Sequence, residues 1–206
     1  MQIRPARLAD ATACAGLTAL SMGTFGDALL GLGDPARQQR VLEALFRSQD
    51  TRFSYPFIEV AEVDGQVLGL LLSFPGRLLM QLNVRMGRHL LPLYGLWDAL
   101  RLAVKSIPMM TETEAKADEY YVSNLAVARQ AWGQGLGRAL LARAEEKALE
   151  AGLYACSLTV EIDNERALAL YQRVGYQIVH TQRTPQLEHT MGTAGHHRMV
   201  KQLGQK

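Results

Sequence analysis

Cysteine is scarce in this chain. Only Cys14 and Cys156 occur, far apart and without CxxC spacing, so buried free thiols are expected rather than a disulfide or a metal site. Long apolar runs are also missing. No stretch reaches the roughly 18 residues of a membrane span. The opening MQIRPARLAD has no apolar core of the kind a secretory signal needs, so a cytoplasmic protein with no membrane partner is expected. Net charge is slight, at +2, which gives no reason to expect a nucleic-acid surface. The adjacent His196 and His197 lack a partner at ligand spacing, so no metal is expected.

What is present is an ordinary globular composition. The 206 residues, 48% hydrophobic, suffice for a buried core and suit a single domain over 1–206. Residues 2–6 read as a strand. Leu8 to Gly23 has apolar residues at helical spacing and closes at glycine; the Gly-rich FGDALLGLGD after it reads as a short helix or loop. Asp34 and Pro35 then open a helix with a Val41, Leu42, Leu45, Phe46 stripe. Asp64-Gly65 divides two β-rich runs between Phe57 and Phe74, a hairpin signal. Residues 75–118 differ in texture and read as an insertion, helical from about Tyr94 and polar in TETEAKADE. YYVSNLAV is a strand, GRALLARAEEKALEAG a helix ending at Gly152, and YACSLTV a strand. Asn164 to Val174 is a short helix; YQIVHTQ and HHRMVKQL are final strands around the loop TPQLEHTMGTAG. The order β, α, α, β, β, insertion, β, α, β, α, β, β predicts an α/β fold, a mixed sheet with helices on its faces.

One stretch carries chemistry. In WGQGLGRALL three glycines, Gly133, Gly135 and Gly137, stand between a strand and a helix. A helix N-terminus offers unpaired N–H groups and a partial positive charge, and glycines let the backbone approach an anion. The GxGxG spacing fits neither the dinucleotide fingerprint GxGxxG nor a P-loop, whose lysine is missing. A tight turn with no ligand is the plain alternative.

Two blocks together resemble the Gcn5-related N-acetyltransferases. LAVARQAWGQGLGRALL is similar to their first block, with its R/Q-x-x-G-x-G/A core. Asn164-ERALAL-Tyr171-QRV-Gly175-Tyr176 is similar to the second, in the family's order and distance. If Gly135 and Gly137 are the core glycines, Trp132 takes the Arg/Gln position and Arg129 that of a common proline. The register Gln130 to Gly135 also satisfies the pattern. The resemblance implies a mostly antiparallel acyl-CoA N-acyltransferase fold with a helical insertion before the fourth strand.

It also implies roles. Backbone groups of Leu125, Ala126 and Val127 would hold the pantetheine arm, and Gly133, Gln134, Gly135, Leu136, Gly137 and Arg138 the diphosphate of acetyl-CoA. Arg138 would face the phosphates, or simply solvent. Asn164 matches the asparagine near the cosubstrate and is also a good helix cap. Tyr171 matches the tyrosine that protonates the leaving thiolate; its plain alternative is a core aromatic. For the base that deprotonates the acceptor amine, Glu119 at the head of the fourth strand is preferred over Glu161, each having a solvated charge as its plain alternative. The ribosomal-protein alanine acetyltransferases are similar around strand and loop, but their strand-five glutamate aligns with Thr159, so that base is not carried over. The Val127 N–H would polarise the thioester carbonyl. No cysteine stands at a motif position, which points to direct transfer to a primary amine. A non-catalytic acyl-CoA-binding domain is the rival reading. The insertion would cover the acceptor groove, pack on the domain, or form a homodimer face. Its basic residues Arg77, Arg85, Arg88, Arg101 and Lys105 read first as a snorkelling surface.

Overall fold

The computed structural model describes residues 1–106, 114–183 and 194–204. Its elements in chain order are β1 (Gln2–Pro5), α1 (Ala11–Leu29), α2 (Pro35–Arg47), β2 (Ile58–Val63), β3 (Gln66–Pro75), α3 (Leu79–Ser106), β4 (Tyr120–Val127), α4 (Leu136–Glu150), β5 (Ala155–Glu161), α5 (Glu165–Arg173), β6 (Gln177–Arg183) and β7 (Gly195–Gln202). The loop expected at 184–195 lies largely outside the described residues, as does part of the polar segment before β4.

Local chemistry accounts for the boundaries. Asp34 accepts a hydrogen bond from the Ala36 N–H at 2.9 Å, and Pro35 needs no partner in the first turn of α2. Asp64 and Gly65 both take positive φ, 50° and 76°, as a two-residue turn between β2 and β3 requires. The insertion helix α3 begins at Leu79, well before the expected Tyr94, and breaks at Gly95 with φ 72°. α1 continues past the expected stop at Gly23, which instead kinks it with φ 55°.

The seven strands form one sheet in the order β1-β2-β3-β4-β5-β7-β6, and only β4 and β5 run parallel. One face packs α1, α2 and α3 around Leu42, Leu45, Phe46, Leu70, Leu72 and Phe74. The other packs α4 and α5 around Leu71, Leu140, Leu141, Leu158, Tyr171 and Tyr176. The free thiols Cys14 and Cys156 are buried on opposite faces. Leu96 and Trp97 of α3, 71% and 77% exposed, have no such cover.

The sheet is split where it matters. β4 pairs with β5 only at Tyr120↔Cys156, Tyr121↔Ser157 and Val122↔Leu158, after which the strands part. At the same level β4 bulges against β3: Leu72 opposes Asn124 and Ser73 opposes Val122, leaving Ser123 without an opposite residue. A bulge increases local twist, which turns the end of β4 away from β5.

Candidate active site

A cavity of about 1230 Å³ fills this gap and opens on both faces of the sheet. On the α4/α5 face it is lined by Leu125, Val127, Gly133, Gly135 to Arg138, Val160, Asn164, Arg166, Leu170 and Tyr171. On the α1/α3 face it is lined by Leu20 to Met22, Phe25, Leu29, Arg52, Phe53, Met86, Glu114, Tyr121 and His196.

Backbone groups reach into the gap from β4. The Ala128 N–H donates to the Leu68 carbonyl at 2.8 Å, which fixes the alternation of the β3–β4 ladder. By that alternation the N–H and C=O of Ala126 face Leu70, whereas those of Leu125 and Val127 face the gap. Ala126 therefore contributes a wall and no free backbone group. The Val127 carbonyl accepts a 2.8 Å hydrogen bond from Trp132 Nε1.

The glycine loop follows directly. Gly133 and Gly135 have φ 80° and 81°, the left-handed region that side chains resist, and a Cβ on either would meet nothing within 4 Å. That combination leaves an open cradle lined by bare backbone. Gly137 serves differently: a Cβ there would come 3.1 Å from Leu170 Cδ2, so its absence lets α4 approach α5. The first intrahelical bond of α4 runs from the Ala139 N–H to the Gly135 carbonyl at 3.0 Å. The N–H groups of Leu136, Gly137 and Arg138 are thus the ones a helix start leaves unpaired. Gln134 is outside the cavity lining, and its side chain donates to the Gln130 carbonyl at 3.2 Å. Trp132 links the loop to its neighbours. Besides its bond to Val127, its ring lies 3.5 Å beneath the Arg166 guanidinium, which ties strand end, loop and α5 together.

Tyr171 is buried at the base of the gap, packed on Tyr176 with ring centroids 6.1 Å apart. Burial pushes its hydroxyl up to about 12, so it holds its proton throughout the physiological range. Asn164 caps α5, accepting from the Ala167 N–H at 3.1 Å, and also lines the cavity.

The model of the acetyltransferase (GNAT) family matches residues 27–176, most of the chain. The chain belongs to this family. It is an acyl-CoA-dependent N-acetyltransferase. The mostly antiparallel sheet and its flanking helices match solved family structures in fold. A crystal structure of an acetyltransferase shares 24% identity with a TM-score of 0.74, covering 99% of this chain and 100% of the other. An N-acetyltransferase from Staphylococcus aureus Mu50 gives 24% and 0.74, covering 97% and 100%. A paia N-acetyltransferase from Thermoplasma acidophilum, solved with coenzyme A, gives 13% and 0.57, covering 98% of each chain. At these identities the likeness is one of fold. No curated protein matches the sequence.

Within this GNAT chain the expected residues divide. Leu125, Ala126, Val127, Gly133, Gly135, Leu136, Gly137, Arg138, Asn164 and Tyr171 meet around one cavity. Glu119 does not line it. Its carboxylate lies on the α1/α3 face in a buried ion pair with Arg198, takes the Lys116 N–H at 2.9 Å, and is held below the usual carboxylate range by these partners against the opposing effect of burial. A carboxylate so engaged is a poor proton acceptor, and Glu119 is withdrawn as the base.

Arg52, Glu114 and Tyr121 on this face carry no sequence motif, while His196 and Glu161, read from sequence only as a poor metal ligand and a second candidate base, join them here. Arg52 holds Glu114 at 2.7 and 3.0 Å and donates to Ser123 at 2.9 Å, while the Tyr121 hydroxyl donates to Glu114 at 2.6 Å. Burial opposes ionisation of Glu114, but Arg52 overrides it and brings its pKa down to about 2. His196 of β7 stands opposite Glu161 of β5, and both line the cavity. Burial lowers the His196 pKa, with Glu114 opposing and His180 assisting. Burial and Asp163 raise that of Glu161. Residues this far apart in sequence have no spacing that would group them; only the assembled sheet does.

Proposed function

We propose that the protein moves an acetyl group from acetyl-CoA directly to a primary amine, with both substrates bound at once. The observation that carries this is the β4–β5 gap, which runs from the glycine loop past Tyr171 to a second chamber on the opposite face. Its volume of about 1230 Å³ exceeds the roughly 300–1,000 Å³ of single-ligand pockets. Burial raises Cys14 and Cys156 to about 12 and neither lines the cavity, which leaves no thiolate for a covalent route.

We assign the residue roles as follows. Gly133 and Gly135 to Arg138 hold the diphosphate through backbone N–H groups at the positive end of α4, with Arg138 and Arg166 nearby as cations. Leu125 and Val127 pair with the pantetheine arm as an added strand would. The Val127 carbonyl is taken by Trp132, so of Val127 only the N–H is offered to the arm, and this N–H or that of Leu125 donates to the thioester carbonyl. Tyr171 gives its proton to the departing thiolate. His196 takes the proton of the amine. Its lowered pKa keeps the imidazole neutral near pH 7 and able to accept. Activity limited by this group rises with pH through a pKa below 6.5 and is flat above it, since Tyr171 at about 12 imposes no alkaline loss in the neutral range.

Tyr171→Phe is the direct test. It should lower kcat by about 10²-fold or more, the usual worth of a positioned acid, with acetyl-CoA affinity by calorimetry unchanged. Unaltered turnover would remove Tyr171 from the chemistry.

A further inference from the structure

The chamber on the α1/α3 face has a chemical character of its own. Leu20, Met22, Phe25, Leu29, Phe53 and Met86 supply apolar wall from α1, the segment before β2, and α3. The kink of α1 at Gly23 falls among these residues, and Asn124 Nδ2 donates to Ser21 Oγ at 2.8 Å, holding the kinked helix over the mouth of the gap. Met86 brings the insertion helix into the wall. The side chains of Leu20, Met22, Phe25, Leu29 and Met86 are only partly covered by protein.

Among the described residues, acidic groups that would grip a polycation are few. Among the described residues on this face, the cavity presents Glu114 and Glu161. The Glu114 carboxylate already meets two Arg52 nitrogens and the Tyr121 hydroxyl, so its charge is neutralised in place. Glu161 is one carboxylate at the rim of the strand pair. Polyamines and aminoglycosides carry several ammonium groups, each of which loses its hydration on entering and needs a carboxylate to replace it.

We propose that this chamber selects a primary amine whose amino group is attached to a compact apolar body, alkyl or arylalkyl, and excludes polycations. The amino end lies toward His196 and the gap, and the apolar end against Met22, Phe25 and Met86. This rests on the acetyl-transfer reading above and adds the acceptor class. The same chemistry is presented by a free amine or by a peptide beginning with a large apolar residue.

The test measures thiol release with acetyl-CoA and a panel of phenethylamine, hexylamine, a short peptide with N-terminal leucine, spermidine and kanamycin, alongside calorimetry with coenzyme A. At least one apolar arm should exceed both polycations in kcat/KM by about tenfold or more, since each buried methylene alone contributes roughly that. Whichever apolar arm leads identifies the source, free amine or peptide. Met86→Glu should cut the leading arm at least tenfold without changing coenzyme A affinity; Met86→Gln gives the same direction should the charged variant fold poorly. Spermidine or kanamycin matching the apolar arms, or coenzyme A binding with no apolar arm turned over, would overturn the acceptor class. Absence of coenzyme A binding would remove the acetyl-transfer reading and this inference with it.

Discussion

Glu119 and Arg198 are both nearly excluded from water, at 7% and 9% side-chain exposure. A charge in such a place is tolerated only when it is met by its opposite. Breaking one half of a buried pair leaves the other uncompensated, typically at about 3–5 kcal/mol. Glu119→Gln should therefore lower stability by about 3 kcal/mol in denaturant unfolding while the folded fraction keeps its kcat. The pH dependence has a definite sign. The Glu119 pKa is depressed in the folded state, so its contribution is fully present above the ordinary value of 4.5 and is lost as pH falls through the folded value. The gap in stability between wild type and variant should accordingly shrink below about pH 4.5. A loss of kcat at full stability would restore Glu119 to the chemistry.

The loop between β4 and α4 shows how one element can hold two kinds of glycine. Gly133 and Gly135 are there for backbone conformation, Gly137 for helix packing. Gly135→Ala should cost about 1–2 kcal/mol, the left-handed penalty for a side chain, and weaken acetyl-CoA binding only modestly. Gly135→Glu adds a negative charge to an anion cradle and should abolish binding in calorimetry; wild-type affinity would refute the loop's role. This element was readable from sequence because its information is local: β4 and the start of α4 follow from a strand pattern, glycines and a helical stripe. Asn164 and Tyr171 were readable through motif spacing on one short helix. α3 was misplaced at its start because Gly87 and Pro92 look like helix breakers, yet the helix runs through both and breaks at Gly95. The acceptor chamber was not readable, because Phe25, Arg52, Met86, Glu114 and His196 come from five segments that only the folded sheet brings together. Glu119 drew attention by its place at the head of β4, and Arg198, almost eighty positions later, decides its role.

At the scale of the whole molecule the site is a fault in the sheet. Six strand neighbours are hydrogen-bonded across the order β1 to β6, but the central junction β4–β5 has three residue pairs, all at one end. The apolar core on the α4/α5 face runs from Leu71 and Tyr120 to Leu158 and Met199 and so bridges that junction, which predicts one cooperative unfolding transition. A ligand lying in the gap would bond to the free edge of β4 and contact β5, completing the junction only in the folded state. Coenzyme A at 100 times its Kd should then add about 2.7 kcal/mol to stability. For a chain of this length that corresponds to a rise in Tm of about 5–11 °C. The rise should appear as a shift of one transition, and Gly135→Glu should abolish it. A melting curve that resolves into two steps, with coenzyme A moving only one, would mean that the halves of the sheet on either side of the gap unfold separately.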